Sequence, residues 1–265
     1  MKGEYKMNLI NPETLKSWLH PHSVEWYEQV NSLQGTYSYP WHSITPEPNG
    51  ESIFDQEVIQ SIQHLKVLDV GCGHGGFTLQ CSLYAKEIVG FDITEGFVDI
   101  GKNNSRSNVS FIVGNTKNGL PFKAGEFDVA FIRKGPTSAY PELKKTVKTG
   151  GTILGLHPGD EQGKELAGLF PGLFQQASGT PVLDTIRERL AQSKFQSVEI
   201  ETVNSIEYLI SPTDVIKVRC FGQSQELFET VLEASLSDIT KIFEQHAGTE
   251  GLPITFSRYI VRAVS

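Results

Sequence analysis

The stretch VLDVGCGHGG, residues 67–76, sets Gly71, Gly73, Gly75 and Gly76 directly after a short apolar strand-like run and ahead of a helical pattern. Glycine has no Cβ, so such a bend can turn tightly and let a ligand lie against backbone, while the helix start offers unpaired N–H groups. A nucleotide-like ligand suits it. Gly71, Gly73 and Gly76 also satisfy G-x-G-x-x-G, the pattern of a nicotinamide or flavin dinucleotide site. Asp69, inside the strand end, weighs against a pyrophosphate and favours a ligand carrying a sulfonium or ammonium cation. Asp92 ends the next run, EIVGFD, where a carboxylate can accept both hydroxyls of a ribose. Capping the following helix is its alternative use.

Other groups suited to chemistry fall after later strand-like runs. In FIRKGPTS, the fork of Arg133 can take a carboxylate, whether of a ligand or of the protein itself. In GLHPGDE, His157 has an ordinary pKa suited to taking a proton near neutral pH, and Asp160 can hold a cationic acceptor. His42 is a weaker base candidate. Trp26, Tyr27, Tyr37, Tyr39 and Trp41 can close over a cation with their ring faces, or pack as a small satellite core. The seven histidines show no HExxH or paired-ligand spacing, although His20 and His22 lie close together, so no metal is expected. Cys72, Cys81 and Cys220 form no CxxC pair and are odd in number, which argues against a disulfide framework and fits a reducing compartment.

Positioning these residues requires strand ends gathered on one edge. From Lys66 onward, strand and helix patterns alternate, the signature of a parallel sheet with crossover helices. The strands are VLDV, EIVGFD, VSFIVG, FDVAFI, GTILGL and SVEIETV, with helices over 75–85, 95–104, 138–148 and TPVLDTIRERLAQSKF. LPITFSRYIVRAV alternates apolar and polar residues, as an edge or antiparallel strand does. Ile53, Phe54, Val58, Ile62 and Leu65 recur at helical spacing ahead of the first strand. SWLHPHSVEWYEQV reads as one or two short helices and QGTYSYPWHSITPEPNG as irregular chain. The expected fold is α/β: a Rossmann-like, seven-stranded, mostly parallel sheet with an antiparallel last strand. Residues 1–52 form an N-terminal helical and aromatic cap, 53–265 the ligand-binding domain, and 211–251 a helical insertion that either covers the site as a lid or packs outside the sheet.

VLDVGCGHGG resembles motif I of the class I S-adenosylmethionine-dependent methyltransferases, whose acidic-x-Gly-x-Gly-x-Gly pattern falls on Asp69, Gly71, Gly73 and Gly75. The resemblance runs from residue 53 to 157. It implies that the loop from Gly71 through Cys72 and Gly73 to Gly75 runs beside the methionyl part of S-adenosylmethionine. It also implies that Asp69 helps hold the amino group, Asp92 the ribose, and Ile93 a face of the adenine. VGNTKNGLPFKAGEFDVAF is similar to the family stretch in which a polar residue meets the adenine amino group. Asn115 stands where aspartate is commoner, with Thr116 beside it. An amide can still accept from N6 and donate to N1, or Asn115 can be a turn residue.

The chain lacks the Asn/Asp-Pro-Pro-aromatic and Pro-Cys motifs of base methylation. Its aromatic N-terminus and LHPGDE loop further resemble bacterial peptide N-methyltransferases. The function so implied is methyl transfer to N or O of a small metabolite, a natural-product intermediate or a peptide terminus. His157, Asp160 and Arg133 would stand on the acceptor side. The rival readings are an NAD(P)-dependent Rossmann oxidoreductase and a catalytically silent S-adenosylmethionine-binding regulator.

Bulk properties narrow the partners. A net charge of −8 and a pI near 5.4 repel a phosphate backbone, and no basic run exceeds Lys144-Lys145, so nucleic acid is not an expected partner. No apolar run approaches the roughly 20 residues of a membrane span, and the N-terminus lacks a signal-peptide pattern. A cytoplasmic protein acting on a small-molecule or short-peptide acceptor is expected. At 265 residues the chain can bury one sizeable core plus a small lid.

Overall fold

The computed structural model describes residues 9–175 and 178–265; the first eight residues of the expected cap lie outside these. Its strands are β1 (Ser43–Ile44), β2 (Lys66–Val70), β3 (Glu87–Asp92), β4 (Val109–Val113), β5 (Phe127–Arg133), β6 (Val147–Pro158), β7 (Ser197–Leu209) and β8 (Leu252–Val264). They form one sheet in the order β1-β7-β8-β6-β5-β2-β3-β4. The architecture is the expected Rossmann-like mixed sheet, with eight strands in place of seven. The extra one, β1, pairs antiparallel with Tyr208 and Leu209. Two residues carry no periodicity, so nothing in the sequence marks it.

β8 is antiparallel to both β6 and β7 and therefore lies inside the sheet, not at its edge. Its antiparallel pairing is as expected, and its two arginines face acidic partners, Arg258 buried and Arg262 half-buried. The guanidinium of Arg258 is bonded to Glu51 at 2.8 and 3.0 Å, and that of Arg262 to Glu57 at 2.6 and 2.8 Å.

Both acids come from α2 (Gly50–Ser61), which starts at a capping box: Asn49 Oδ1 accepts from the backbone N–H of Glu51 and Ser52. The remaining helices are α1 (Val24–Gln34), α3 (Gly76–Cys81), α4 (Glu95–Asn103), α5 (Tyr140–Thr146), α6 (Lys164–Leu169), α7 (Pro181–Ser193), α8 (Pro212–Arg219) and α9 (Gln225–His246).

Strand side chains alternate between two cores, as their period of two requires. Leu68, Val70, Ala130 and Ile132 face the side packed by α5 and α7, with Tyr140, Leu143, Ile186 and Leu190. Val67, Val129 and Phe131 face the opposite side, with Phe54 and Val58 of α2, Ile62 just after it, and Val98 of α4. A third core joins α8 and α9 to Leu209, Leu252 and Ile254, with Leu9, Leu15, Trp18 and Trp41 of the N-terminal segment against it. The insertion thus packs at one end of the sheet together with the cap.

Phe111 of β4 fills a slot that only glycines leave open. A Cβ placed at Gly75, Gly90 or Gly101 would lie 2.5, 2.6 or 2.9 Å from its ring. Phe111→Ala is expected to destabilise the fold by about 3–5 kcal/mol, the range for emptying an aromatic core site. Urea unfolding checks this, and a loss below about 1 kcal/mol would show that the slot collapses freely.

Candidate active site

The bend after β2 takes the left-handed conformations that glycine allows, with φ of 80° at Gly71, 54° at Gly73 and 81° at Gly75. The backbone N–H groups of Gly71 and Cys72 donate to Phe91 O at 2.8 and 3.2 Å, which ties the bend to β3. Asp92 completes the tie. Its Oδ2 accepts from Gly73 N and its Oδ1 from Thr94 N, both at 2.9 Å. The N-cap of α4 is Thr94, so Asp92 is not capping that helix; it faces the bend. Burial raises its pKa, against the backbone hydrogen bonds from Thr94 and Gly73.

Asp69 is 2% exposed. The Thr78 hydroxyl of α3 donates to its Oδ2 at 2.6 Å, while Oδ1 is buried without a partner among the described residues. Burial raises this carboxyl to about 7, with the Asp92 charge adding to the rise and the Thr78 bond and Arg133 opposing it.

A cavity of about 690 Å³ opens over the carboxyl ends of these strands. Asp69, Gly71, Cys72, Gly73, Asp92, Ile93, Asn115 and Thr116 line it from β2, β3 and the turn after β4. Asn115 Oδ1 also caps that turn, accepting from Lys117 N at 2.9 Å, and Thr116 shares a 2.7 Å hydrogen bond with Ser138. Gly75 is not part of the lining; it opens α3, where its missing side chain admits Phe111.

The three candidate acceptor residues fare differently. Arg133 lines the cavity from β5, but its guanidinium is bonded to Asp55 at 2.7 and 2.9 Å and to Glu51 at 3.3 Å, so the carboxylates it holds are the protein's own. Asp160 does not line the cavity. Its carboxylate accepts from the backbone N–H of Val182 and Leu183 and from the Tyr259 hydroxyl, at 2.8–3.0 Å, and so caps α7. The reading of Asp160 as an acceptor-binding group is corrected: its charge answers the N-terminal dipole of a helix.

His157 does line the cavity, but it is 2% exposed and burial lowers its pKa to about 4. Near neutral pH its imidazole is therefore uncharged. His42, with its side chain 79% exposed, is not part of the lining.

The aromatic residues divide between the two readings. Tyr27, Tyr37 and Tyr39 line the cavity. Trp26 is core, donating its indole N–H to Phe221 O at 3.0 Å, and Trp41 stacks on Tyr39 with ring centroids 4.4 Å apart. The insertion meets the aromatic segment from behind, where Phe221 packs on Trp26, Tyr37, Tyr39 and Trp41; no residue of 211–251 lines the cavity.

Lys134 and His74 are among the lining residues to which the sequence reading gave no role. Lys134 adopts φ 60°, bonds Glu51 at 3.1 Å and sits 4.8 Å from the Tyr39 ring centroid. His74 Nδ1 accepts from Tyr37 N at 3.2 Å, clasping the aromatic segment to the glycine bend. Behind this wall, desolvation pushes Glu51 upward, but the charges of Lys134, Arg258 and Arg133 hold it at about 2. Among the described residues no three metal-ligating side chains converge, and no helix is long and apolar enough to cross a membrane.

With sheet order, glycine bend and paired strand-tip carboxylates in place, the class is defined: this is the fold of the class I S-adenosylmethionine-dependent methyltransferases. Residues 67–151, from β2 into β6, match the family model of a methyltransferase domain. The chain is similar in structure to a functionally unknown protein of Deinococcus radiodurans R1, at 19% identity over 91% of this chain and 98% of that one, with a TM-score of 0.59. It is similar to the (4+2) cyclase SpnF, at 16% identity over 98% of this chain and 97% of that one, with a TM-score of 0.56. It is also similar to the YcgJ protein of Bacillus subtilis, at 18% identity over 82% and 97% of the two chains, with a TM-score of 0.55.

Asp160→Ala should remove the acceptor for two α7 N–H groups and lower stability by about 1–2 kcal/mol, as lost helix caps do. Thermal unfolding measures this, and the cavity should keep its ligand affinity. A variant with wild-type stability and impaired ligand binding would return Asp160 to the site.

Proposed function

We propose that the protein transfers the methyl group of S-adenosylmethionine to a small-molecule or short-peptide acceptor held in the cavity over β5 and β6. The observation that carries this reading is Asp69: a carboxylate sealed at a strand tip, with one oxygen unpartnered, fits a ligand that brings its own cation. The ammonium of the cofactor's methionyl group is such a cation, whereas a dinucleotide would bring its pyrophosphate to the bend beside it. Asp92 would take the ribose hydroxyls, since each of its oxygens accepts one backbone bond and keeps a lone pair. Ile93 would lie on the adenine, and the Asn115 amide N–H₂, its oxygen already bonded to Lys117 N, would donate to the base.

S-adenosylmethionine supplies an electrophilic methyl carbon on a sulfonium. The chain's part is to orient and to exclude water. Tyr37 and Tyr39 close one side of the cavity and offer ring faces to a cation, while Arg133 and Lys134 fix the β5 side through Glu51 and Asp55. The similarity to a (4+2) cyclase makes turnover worth testing apart from binding. Transfer of label from methyl-tritiated S-adenosylmethionine into extracted metabolites supports the reading, and binding without any transfer removes it.

Two further outcomes are expected. Asp92→Ala should weaken binding of S-adenosylhomocysteine by about 1–3 kcal/mol in calorimetry, the range for stranding hydrogen-bonded partners. Asp69 gives a pH signature whose sign is fixed. Because its carboxyl sits at about 7 in the free protein, it is mostly protonated near pH 6, and a ligand ammonium favours the ionised form. Binding near pH 6 should therefore release up to about one proton, and binding well above 7 none. Calorimetry in buffers of different ionisation enthalpy reads this directly, and proton uptake near pH 6 would rule out the Asp69–ammonium contact.

A further inference from the structure

His157 is buried and lines the cavity. Its Nε2 lies 2.8 Å from the Tyr140 hydroxyl. Tyr140 is completely buried, and among the described residues that hydroxyl has no other hydrogen-bond partner. A buried phenol that only accepted would leave its own proton unpaired, at a cost of about 1–3 kcal/mol, so Tyr140 donates to Nε2. The neutral imidazole then carries its hydrogen on Nδ1. Nδ1 has no partner among the described residues, yet it is not among the sealed unpartnered atoms, so it opens onto the cavity that His157 lines.

The sequence builds this niche from both sides. Gly155 precedes His157 by two on the same face of β6, and a Cβ there would run into the Tyr140 hydroxyl. Tyr140 opens α5 directly after the turn whose Thr137 and Ser138 also line the cavity.

On the same β5–β6 side stand Arg133 and Lys134, and Lys134 N donates at 2.8 Å to the carbonyl of Leu156, beside His157. Their acidic partners, Glu51 and Asp55, do not line the cavity. Among the described residues the lining carboxylates are Asp69 and Asp92, both on the β2–β3 side. Both lining carboxylates therefore stand where the donor molecule would bind, together with Lys117 of the turn after β4, while the β5–β6 side, where the acceptor would lie, presents no lining carboxylate.

We propose that Tyr140 is a positioning residue that fixes His157 as an Nδ1–H donor, and that this donor, on a side of the cavity with no lining carboxylate, selects acceptors bearing an oxyanion over acceptors bearing an ammonium. The inference rests on the methyl-transfer reading and names its substrate class. Such an acceptor needs no base. As its oxygen bonds to the methyl carbon, the C–S bond breaks with its electron pair left on sulfur, and no proton remains to be moved.

The test uses the full-length protein with 15N-labelled histidine, saturated with S-adenosylhomocysteine. Long-range 1H–15N spectra, with the His157 signal assigned by its loss in variants, should show an Nδ1–H tautomer in the wild type. In Tyr140→Phe the hydrogen should redistribute toward Nε2. Benzoate should shift the His157 signal and benzylamine should not. His157→Asn, which keeps an N–H near the Nδ1 position, should hold benzoate within about threefold of wild type, whereas His157→Leu should lose about tenfold or more. An Nε2–H tautomer in the wild type, a signal unmoved by benzoate, or a response to benzylamine overturns the proposal. Calorimetry of S-adenosylhomocysteine on the same samples separates the two readings: no binding defeats the methyl-transfer reading, while normal binding with the wrong tautomer or wrong probe defeats only this one.

Discussion

A carboxylate oxygen buried without a partner costs free energy that folding gains nothing by incurring, and Asp69 carries one at the tip of the strand around which the sheet is laid out. Much of the surrounding structure serves to keep it there. Thr78 holds the other oxygen, which requires α3 to start at once after the bend; that in turn requires Gly75 at a position where a side chain would strike Phe111. Asp92 fixes the bend from β3 by gripping Gly73 N, and its charge raises the Asp69 pKa further. A carboxyl whose ionisation is opposed by burial and by the Asp92 charge across a glycine bend is relieved by a cation.

The second organising group is Glu51, which stands behind the opposite wall. From α2 it bonds Lys134 and Arg133 at the end of β5 and Arg258 on β8, and those three cations keep it ionised despite its desolvation. Removing one partner from such a buried cluster leaves an uncompensated charge, so the geometry of the whole corner is set at once. Lys134 also reaches the Tyr39 ring, and His74 clasps Tyr37 to the glycine bend, so the aromatic segment closing the cavity is tied to both electrostatic centres.

What could be read from the chain alone follows from how local each signal is. The glycine bend, Asp69 and Asp92 were legible because strand, turn and helix follow within a few residues and the strand-end positions are set by that pattern. Residues whose partners lie far away were not. Arg133 meets Asp55 78 residues earlier, and Asp160 caps a helix that begins some 20 residues later, so neither assignment could be made from neighbours in sequence. The interior place of β8 was out of reach for the same reason, the acids that pair with its arginines coming from α2 across 205 and 207 residues. β1 is too short to have a period, and α6, at six residues, shows too little amphipathic pattern to stand out.

For the oxyanion acceptor proposed above, the placing of the lining carboxylates away from the β5–β6 side makes a strong base there unnecessary. In water, joining an anion to a cationic methyl donor is slowed because both partners are well solvated and the charge that binds their hydration disappears in the transition state. In a cavity closed by tyrosines, that hydration is replaced by fixed donors on one side and fixed carboxylates on the other, and the reaction gains from their preorganisation. A base strong enough to deprotonate an ammonium would be a liability here, since in its protonated form it would be a second mobile cation beside the sulfonium. A histidine desolvated until it stays neutral, with its lone pair occupied by a buried tyrosine, supplies direction without that charge.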